Sequence, residues 1–116
     1  MIKVAGIPGV KKRCYKNLSS RCYEIALNFV IDNQDWTLIH GTLNVSDLLG
    51  KTDKKYRQYG HAWAEKDEYV FDPAHNCFYS KQYFEKSFKA KTIKRYSLRE
   101  TSKLILKMNH SGPWHG

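Results

Sequence analysis

Residues 60 to 73 constrain the fold most, because they read as two short strands with almost no chain between them. Runs from Gly60 to Lys66 and from Glu68 to Asp72 predict the strands, and Pro73, which has no N–H to donate, ends the second. Strands this close in sequence are expected to pair as an antiparallel hairpin. The sequence therefore predicts a small antiparallel sheet built around this hairpin.

The predicted register of the hairpin sets two chemically useful side chains face to face. With the turn centred between residues 66 and 67, His61 lies directly opposite Asp72, and opposed side chains project from the same face of a sheet. A longer turn about the same centre keeps this pairing, whereas a slip of one residue removes it. Trp63 and Val70 share this face and are expected to pack against the helix that precedes them in the chain.

That preceding helix is predicted over residues 21–32, where apolar residues recur three and four apart as one helical face requires. Ser19 or Ser20 is its expected N-cap. The inward stripe consists of Cys22, Ile25, Ala26, Phe29 and Val30. Cys22 is therefore expected in the first turn of a helix packed on the sheet.

A cysteine at a helix start, with a histidine and an aspartate on paired strands, is the arrangement that a thiol nucleophile needs. The carboxylate of Asp72 would fix the orientation and tautomer of His61, and the imidazole would take the proton of Cys22. The N–H groups and dipole of the helix N-terminus favour the thiolate. A single strand histidine or buried cysteine is usually structural, but the three together in this order predict a catalytic triad.

Acyl transfer also requires hydrogen-bond donors for the oxyanion. The backbone N–H of Cys22 is the natural first donor. The second is sought among the residues just before the nucleophile, which are Tyr15, Asn17, Ser19 and Ser20. Asn17 is favoured because an amide side chain is a reliable neutral donor. Trp63 and Tyr23 are predicted to contact the substrate.

The rest of the chain completes a single α+β domain over residues 1–116, and 41% hydrophobic with 14% aromatic residues suits a packed core. The predicted strands outside the hairpin are Trp36 to Leu43, ending near Gly41, and Thr92–Tyr96. Three helical segments are also predicted: a turn over Val45–Leu49, a helix capped by Ser80, and a last helix that begins with a Ser97–Glu100 capping box. The inward residues of the last helix are Leu98, Thr101, Leu104, Ile105 and Met108. The lysine-rich stretch 50–59 is either an exposed loop or a lid.

Several classes of protein are disfavoured. Cys14, Cys22 and Cys77 are an odd number without C-x-x-C spacing, which argues against a disulfide scaffold and a zinc ribbon. His110 and His115 have no acidic or thiol neighbours in the tail, so no metal or other cofactor is expected. No stretch approaches the ~20 apolar residues of a membrane span, and the first ten residues lack a signal-peptide core. The expected location is the cytoplasm.

The formal net charge of +9, from 20 basic and 11 acidic residues, supports a competing interpretation. In it the chain is a non-catalytic binding protein that contacts nucleic acid or an acidic protein. Its contacts would be Lys12, Arg13, Lys54, Lys55, Arg57, Lys94 and Arg95, interleaved with Tyr15, Tyr56, Tyr59 and Tyr96. No established nucleic-acid-binding motif is present, so the enzyme is favoured, with a peptide or protein as its substrate.

Four segments resemble the transglutaminase-like superfamily, which shares the papain-like arrangement of catalytic residues. They are Arg21–Leu27, Leu38–Thr42, Gly60–Glu65 and Val70–Pro73. Within the superfamily, the sequence is most similar to small bacterial cysteine peptidases that remove leader peptides during lasso-peptide maturation. Their pattern has Arg-Cys-Leu opening a helix and His-Ala-Trp-Val-Glu on a strand.

The resemblance covers about half of the chain and implies a papain-like or transglutaminase-like core. It implies Cys22 as nucleophile, His61 as base and Asp72 as the residue that orients the base. Tyr23 departs from the apolar residue usual after the cysteine, and residues 51–59 have no counterpart in the family pattern.

Overall fold

The computed structural model describes residues 9–13, 21–44 and 58–108, with side chains from Gly60 onward in the last range. Over these ranges the chain is a mixed α+β fold, which confirms the predicted class. The described helices are α1 (Cys22–Asp32), α2 (Lys81–Phe88) and α3 (Leu98–Met108). The described strands are β1 (Thr37–Asn44), β2 (Gln58–Lys66), β3 (Tyr69–Asp72), β4 (Cys77–Ser80) and β5 (Lys91–Tyr96). They form one antiparallel sheet in the order β4, β3, β2, β1, β5.

Helices cover both faces of this sheet. α1 and α3 pack on the face that carries Ala62 and Ala64, and α2 packs on the face that carries Trp63 and Val70. The two alanines are fully buried, and their small side chains let α1 approach β2 closely. The prediction that Trp63 and Val70 pack on the cysteine helix is therefore wrong. The bulky indole lies under α2 instead, with its ring centroid 5.3 Å from that of Phe84.

The apolar stripe of α1 is largely as predicted. Its buried residues are Ile25, Ala26, Leu27, Phe29 and Val30. Cys22 is only partly buried, because it begins the helix at the edge of the packed face. The N-cap is Arg21 rather than a serine, and its side chain donates to Glu24 over 2.8 Å instead of capping the helix. Ser19 and Ser20 lie outside the described residues.

The hairpin of β2 and β3 forms with a register different from the predicted one. Asp67–Glu68 makes a two-residue turn whose first residue has φ 54°, a left-handed conformation that aspartate tolerates better than most residues. Lys66 pairs with Tyr69, so the register is shifted by two residues and Asp72 does not lie directly opposite His61. Because a shift of two keeps every side chain on its own face, these two side chains still share a face and lie diagonally across the strands.

Two further features of the sheet differ from expectation. β1 does not end near Gly41 but continues to Asn44, and β4 was not predicted, since its four residues read as the lead-in to a capped helix. At Gly41 the pairing with β5 shifts register. An added Cβ there would lie 2.1 Å from the carbonyl oxygen of Lys91 and 2.5 Å from the Trp63 ring. Glycine is required because β5 and the indole approach so closely.

The two predicted caps in the C-terminal half are confirmed. The Ser80 hydroxyl accepts from the N–H three residues on, over 3.2 Å, at the start of α2. Ser97 and Glu100 exchange two hydrogen bonds of 3.1 and 3.2 Å at the start of α3. Thr101 is fully buried as predicted, but Met108 is exposed, since the last turn extends beyond the part of α3 that packs on the sheet.

Other predictions concern parts of the chain outside the described residues. These are the helical turn Val45–Leu49, most of the stretch 50–59, Cys14, Asn17, His110 and His115. Within the described ranges, none of the helices has the length and apolar character needed to cross a membrane.

Candidate active site

The three residues of the predicted triad come together at one edge of β2. Among the described strands, β2 pairs with β1 over Gln58–Glu65 but with β3 only over Ala64–Lys66. Cys22 lies beside the part of β2 that β3 does not reach, where the His61 side chain and the Ala62 N–H are close enough to lower the pKa of its thiol. Because α1 and His61 are on opposite faces of the sheet, this edge is where thiol and imidazole can meet.

His61 also contacts the predicted orienting residue. Its Nε2 donates to Asp72 Oδ1 over 3.0 Å, and the two residues are 8% and 2% exposed. The diagonal offset left by the two-residue register shift is within reach of side chains on adjacent strands. With Nε2 engaged by the carboxylate, Nδ1 is the nitrogen left for the thiol of Cys22.

The Asp72 carboxylate accepts three hydrogen bonds. Asp72 ends β3, and Pro73 follows it into a four-residue turn. Besides His61, the Ala74 N–H donates to Oδ1 over 3.0 Å and His75 Nδ1 donates to Oδ2 over 3.1 Å. The Ala74 contact is an Asx turn, which aspartate commonly makes at the start of a loop. Both carboxylate oxygens therefore have donors.

These contacts shift all three ionisation equilibria. Burial would raise the pKa of the Cys22 thiol, but the hydrogen bond and charge of His61 and the N–H groups of Ala62 and Tyr23 hold that pKa below its ordinary value. Burial would lower the pKa of His61, but its hydrogen bonds to Asp72 and Cys22 and the charges of both raise it to about 9. The imidazole is therefore protonated at neutral pH.

Asp72 is shifted in the direction that keeps it charged. Burial would raise the pKa of this carboxyl, but hydrogen bonds from His61 and His75, the His61 charge and the Ala74 N–H lower it to about 2. A buried carboxylate is stable only when it is paired and hydrogen-bonded, and both conditions hold here.

The two predicted substrate contacts lie beside the triad. Trp63 is only 1% exposed, and its ring lies 6.1 Å from that of His61 at an interplanar angle of 27°. Its burial gives the indole a packing role next to the histidine. Tyr23 is partly buried, packs edge-on against His40 with centroids 4.8 Å apart, and has its hydroxyl beside Gly60. Of the two, Tyr23 is the one with surface to offer a substrate.

One candidate oxyanion donor lies within the described residues. The first intrahelical hydrogen bond of α1 runs from the Ile25 N–H to the Arg21 carbonyl, so the Cys22 N–H at the helix start has no acceptor within α1. Asn17, the predicted second donor, lies outside the described residues. The described cysteines, Cys22 and Cys77, are both thiols. No group of three or more potential metal ligands occurs within the part of the chain that the structure describes.

Two polar residues that the sequence patterns did not single out are important in the structure. His75 completes the hydrogen bonding of Asp72, and the signal for it is the Asp-Pro-Ala-His turn, in which an Asx turn brings the histidine back to the aspartate. Glu65, 6% exposed, accepts from Trp63 Nε1 and from Arg95 Nη1, each over 2.9 Å. Its burial could not be read from a strand end rich in charged residues.

Comparison with known proteins finds no relative of this chain. No family model matches it, and neither the curated proteins nor the solved structures contain a match. Function is therefore inferred from the geometry and electrostatics of the site.

Proposed function

We propose that this protein is a cysteine-nucleophile enzyme that cleaves an amide or peptide bond through a thioester at Cys22. The observation that carries the proposal is a single imidazole, that of His61, in contact with a thiol on one side and with the buried Asp72 carboxylate on the other. The lowered pKa of Cys22 and the raised pKa of His61 both favour transfer of the thiol proton to the imidazole. Such a thiolate is the form of cysteine that attacks carbonyl carbon.

In the proposed acylation step, the Cys22 thiolate attacks the substrate carbonyl and the carbonyl electrons move onto oxygen. The Cys22 N–H at the start of α1 donates to this oxyanion, where the helix dipole also favours negative charge. Collapse of the tetrahedral adduct breaks the C–N bond, and the leaving amine takes its proton from His61. The products of this step are the free amine and a thioester on Cys22.

Deacylation returns the enzyme to its starting state. A water molecule gives its proton to His61 as it attacks the thioester, and the Cys22 sulfur leaves as the acid is released. Asp72 remains ionised throughout, because its role is to hold the Nε2–H tautomer and to stabilise the imidazolium. Water is the proposed acceptor, since transfer to an amine would require a second site that excludes water.

The proposed core is of the transglutaminase-like or papain-like kind, with the cysteine helix packed on an antiparallel sheet that carries the histidine and aspartate. Support comes from the order of Cys22, His61 and Asp72 in the chain and from the family-like segments around them. The proposed substrate is a peptide or protein, with leader-peptide removal as the specific activity that the resemblance suggests. A reducing compartment such as the cytoplasm suits a thiol nucleophile.

The competing binding function receives less support. A nucleic-acid surface of this type needs exposed aromatic faces on which bases can stack. Tyr96, one of its proposed contacts, is only 3% exposed and packs against His40. Lys94 and Arg95 do lie exposed on β5, but they form ion pairs with Glu100 and Glu65. The exposed lysines also suit an edge strand that must avoid pairing with other chains.

The proposed activity can be tested with a complex peptide mixture rather than a guessed substrate. The full chain is incubated with a proteome-derived peptide library, and new peptide termini are identified by mass spectrometry. We expect new termini with the unsubstituted chain and with Cys77→Ala, and none with Cys22→Ala. Cleavage that persists in Cys22→Ala would contradict the proposal, as would identical libraries with and without the unsubstituted chain.

A further inference from the structure

The Asp72 carboxylate is held through both of its oxygens, which a triad with a single orienting contact does not require. Oδ1 accepts from His61 Nε2 and from the Ala74 N–H, each over 3.0 Å, and Oδ2 accepts from His75 Nδ1 over 3.1 Å. The terminal torsion of an aspartate is broad, so a carboxylate held at one oxygen alone can swing. The His75 contact is the one that fixes the second oxygen.

The His75 nitrogen that contacts Asp72 must carry a proton. The carboxylate is acceptor-only when ionised, so an unprotonated Nδ1 at 3.1 Å would place two lone pairs against each other. A hydrogen bond to a charged oxygen is stronger than one between neutral groups. His75 therefore acts as a donor that opposes rotation of the carboxylate away from His61.

The turn that carries His75 is itself anchored to the rest of the domain. Asn76 follows with φ 50° and closes the turn between β3 and β4. Lys12 Nζ donates to the Asn76 carbonyl over 2.8 Å, and Asn76 Nδ2 donates to the Arg13 carbonyl over 3.3 Å. Arg13 in turn pairs over 2.7 Å with the last residue of α1. The turn and the nucleophile's helix are thus tied together through residues 11–13.

We propose that His75 is a positioning residue of the thiol enzyme, which holds the Asp72 carboxylate in the rotamer that orients His61 toward Cys22. The inference rests on the proposed function, because it concerns the reactivity of the same thiol. His75 contacts Asp72, and its effect on the nucleophile passes through Asp72 and His61. Since the His75 side chain is 49% exposed, removing it opens a gap to solvent rather than a cavity in the core.

The alkylation rate of Cys22 provides a test that needs no substrate. Trypsin cuts after Arg13, Lys16 and Arg21, so the three cysteines fall in separate peptides and each can be followed by mass spectrometry. The full chain is treated with iodoacetamide at about pH 6, where an ordinary thiol is almost entirely protonated. The rate at Cys22 then reports how well the imidazole and carboxylate maintain the thiolate.

The informative variants at position 75 are His75→Ala, which removes the donor, and His75→Asn, whose amide nitrogen occupies the place of Nδ1. We expect about a tenfold slower alkylation of Cys22 in His75→Ala, as for loss of orientation in a site, and near-normal alkylation in His75→Asn. Lys103→Ala, at an exposed position of α3, is the control for a surface substitution and should keep the normal rate. Circular dichroism is recorded on each variant to verify that it is folded.

The outcomes separate failure of this inference from failure of the proposed function. Normal alkylation in His75→Ala, together with slow alkylation in His61→Ala and Asp72→Asn, would overturn the role of His75 alone. Normal alkylation in all three would overturn the thiol enzyme and this inference with it. A second measurement needs no variant: nitrogen-15 NMR of the unsubstituted chain should show a proton on His75 Nδ1, and a neutral ring protonated only at Nε2 would overturn the inference.

Discussion

Two buried ionisable side chains lie on the same face of β2, one toward each end of the strand, and their surroundings differ. His61 has a partly buried thiol and a buried carboxylate as neighbours. Glu65, about 13 Å further along the strand, has two basic partners, Arg95 at 2.9 Å and Lys81 at 3.5 Å. These basic side chains are 50% and 32% exposed, so water screens the cluster.

The difference between the two ends lies in what each can do with a proton. Around His61 the imidazole lies between a thiol and a carboxylate, so a proton can move between the thiol and the imidazole. Around Glu65 the partners are a permanently charged guanidinium, an ammonium and an indole N–H, which fix the carboxylate in place. A cleft of about 360 Å³ opens at the Glu65 end, but none of the described residues that line it is a cysteine or a histidine. Burial of charge alone does not mark the reactive site; the chemical type of the neighbours does.

The largest expected effect is the loss of the nucleophile at the His61 end. Cys22→Ala should reduce peptide cleavage by more than about 10³-fold, because no other group can form the thioester. Labelling by a thiol-directed activity probe should disappear with it. Cys14→Ala and Cys77→Ala are the matched controls and should leave both readouts largely intact. Retained labelling in Cys22→Ala, or its loss in Cys14→Ala, would move the nucleophile elsewhere.

Asp72→Asn should have the next largest effect, with a loss of about 10²–10⁴-fold in kcat while the fold survives. The amide keeps the size of the side chain but removes the charge that raises the pKa of His61 and holds its tautomer. Circular dichroism and steady-state kinetics on the same sample give the comparison. Full activity in this variant would show that Asp72 does not orient the histidine.

At the Glu65 end of β2, a substitution should affect stability more than activity. Glu65→Gln removes the charge that Arg95 and Lys81 neutralise, and we expect it to lower the free energy of unfolding by about 1–2 kcal/mol. Because glutamine keeps an acceptor oxygen for the Nε1–H of Trp63, which packs beside His61, kcat should stay within about twofold. Denaturant unfolding and kinetics are measured side by side. A strong loss of activity without loss of stability would mean that the two ends are not separate in function.

The pH dependence of stability offers a smaller effect that also distinguishes the ends. The folded-state pKa of His61, about 9, is above the ordinary value of about 6.5, so its stabilisation is complete below about pH 6.5 and is lost as pH rises through about 9. Asp72, with a pKa of about 2, stabilises above about pH 4 and loses this as pH falls through about 2. The lowered pKa of Cys22 acts in the opposite direction over the same range, so the measurement uses the Cys22→Ser background, in which the free energy of unfolding should fall as pH rises above about 6.5.

Asp72→Asn tests the origin of this slope of the free energy of unfolding against pH, and Glu65→Gln is its control. Without the carboxylate the pKa of His61 loses its main raising contact, so the slope between neutral and alkaline pH should flatten. Glu65→Gln should keep the slope, because it leaves His61 and Asp72 in place. A slope that is unchanged in Asp72→Asn would show that the alkaline loss of stability has another source.

The sequence predicts the contact of His61 with Asp72 even though it places the turn of the hairpin at the wrong residues. The turn lies at Asp67–Glu68 rather than one residue earlier, so the predicted register is wrong. Strand geometry has a period of two residues, and an even error leaves each side chain on its predicted face. Local patterns of capping were also readable, as the Ser97–Glu100 box shows, because its hydrogen bonds join residues three apart.

Packing between elements distant in the chain could not be predicted from the sequence in the same way. The choice of which face of β2 receives α1 depends on the close fit of Ala62 and Ala64 against the helix, and alternation alone does not distinguish the two faces. The third donor to Asp72 was missed because His75 returns to it through a turn rather than along a strand. Glu65 was missed because its neutralising partners, Lys81 and Arg95, come from α2 and β5.

His61 is proposed to maintain Cys22 as a thiolate, and the pKa of that thiol can be measured by titration. The ultraviolet absorbance of the thiolate is followed against pH in the unsubstituted chain, in Cys22→Ser and in His61→Ala, and the Cys22→Ser signal is subtracted. We expect the Cys22 midpoint to lie below the ordinary thiol range in the unsubstituted chain and to rise into or above it in His61→Ala, because burial then acts without the imidazole. The same midpoint with and without the imidazole would contradict the account.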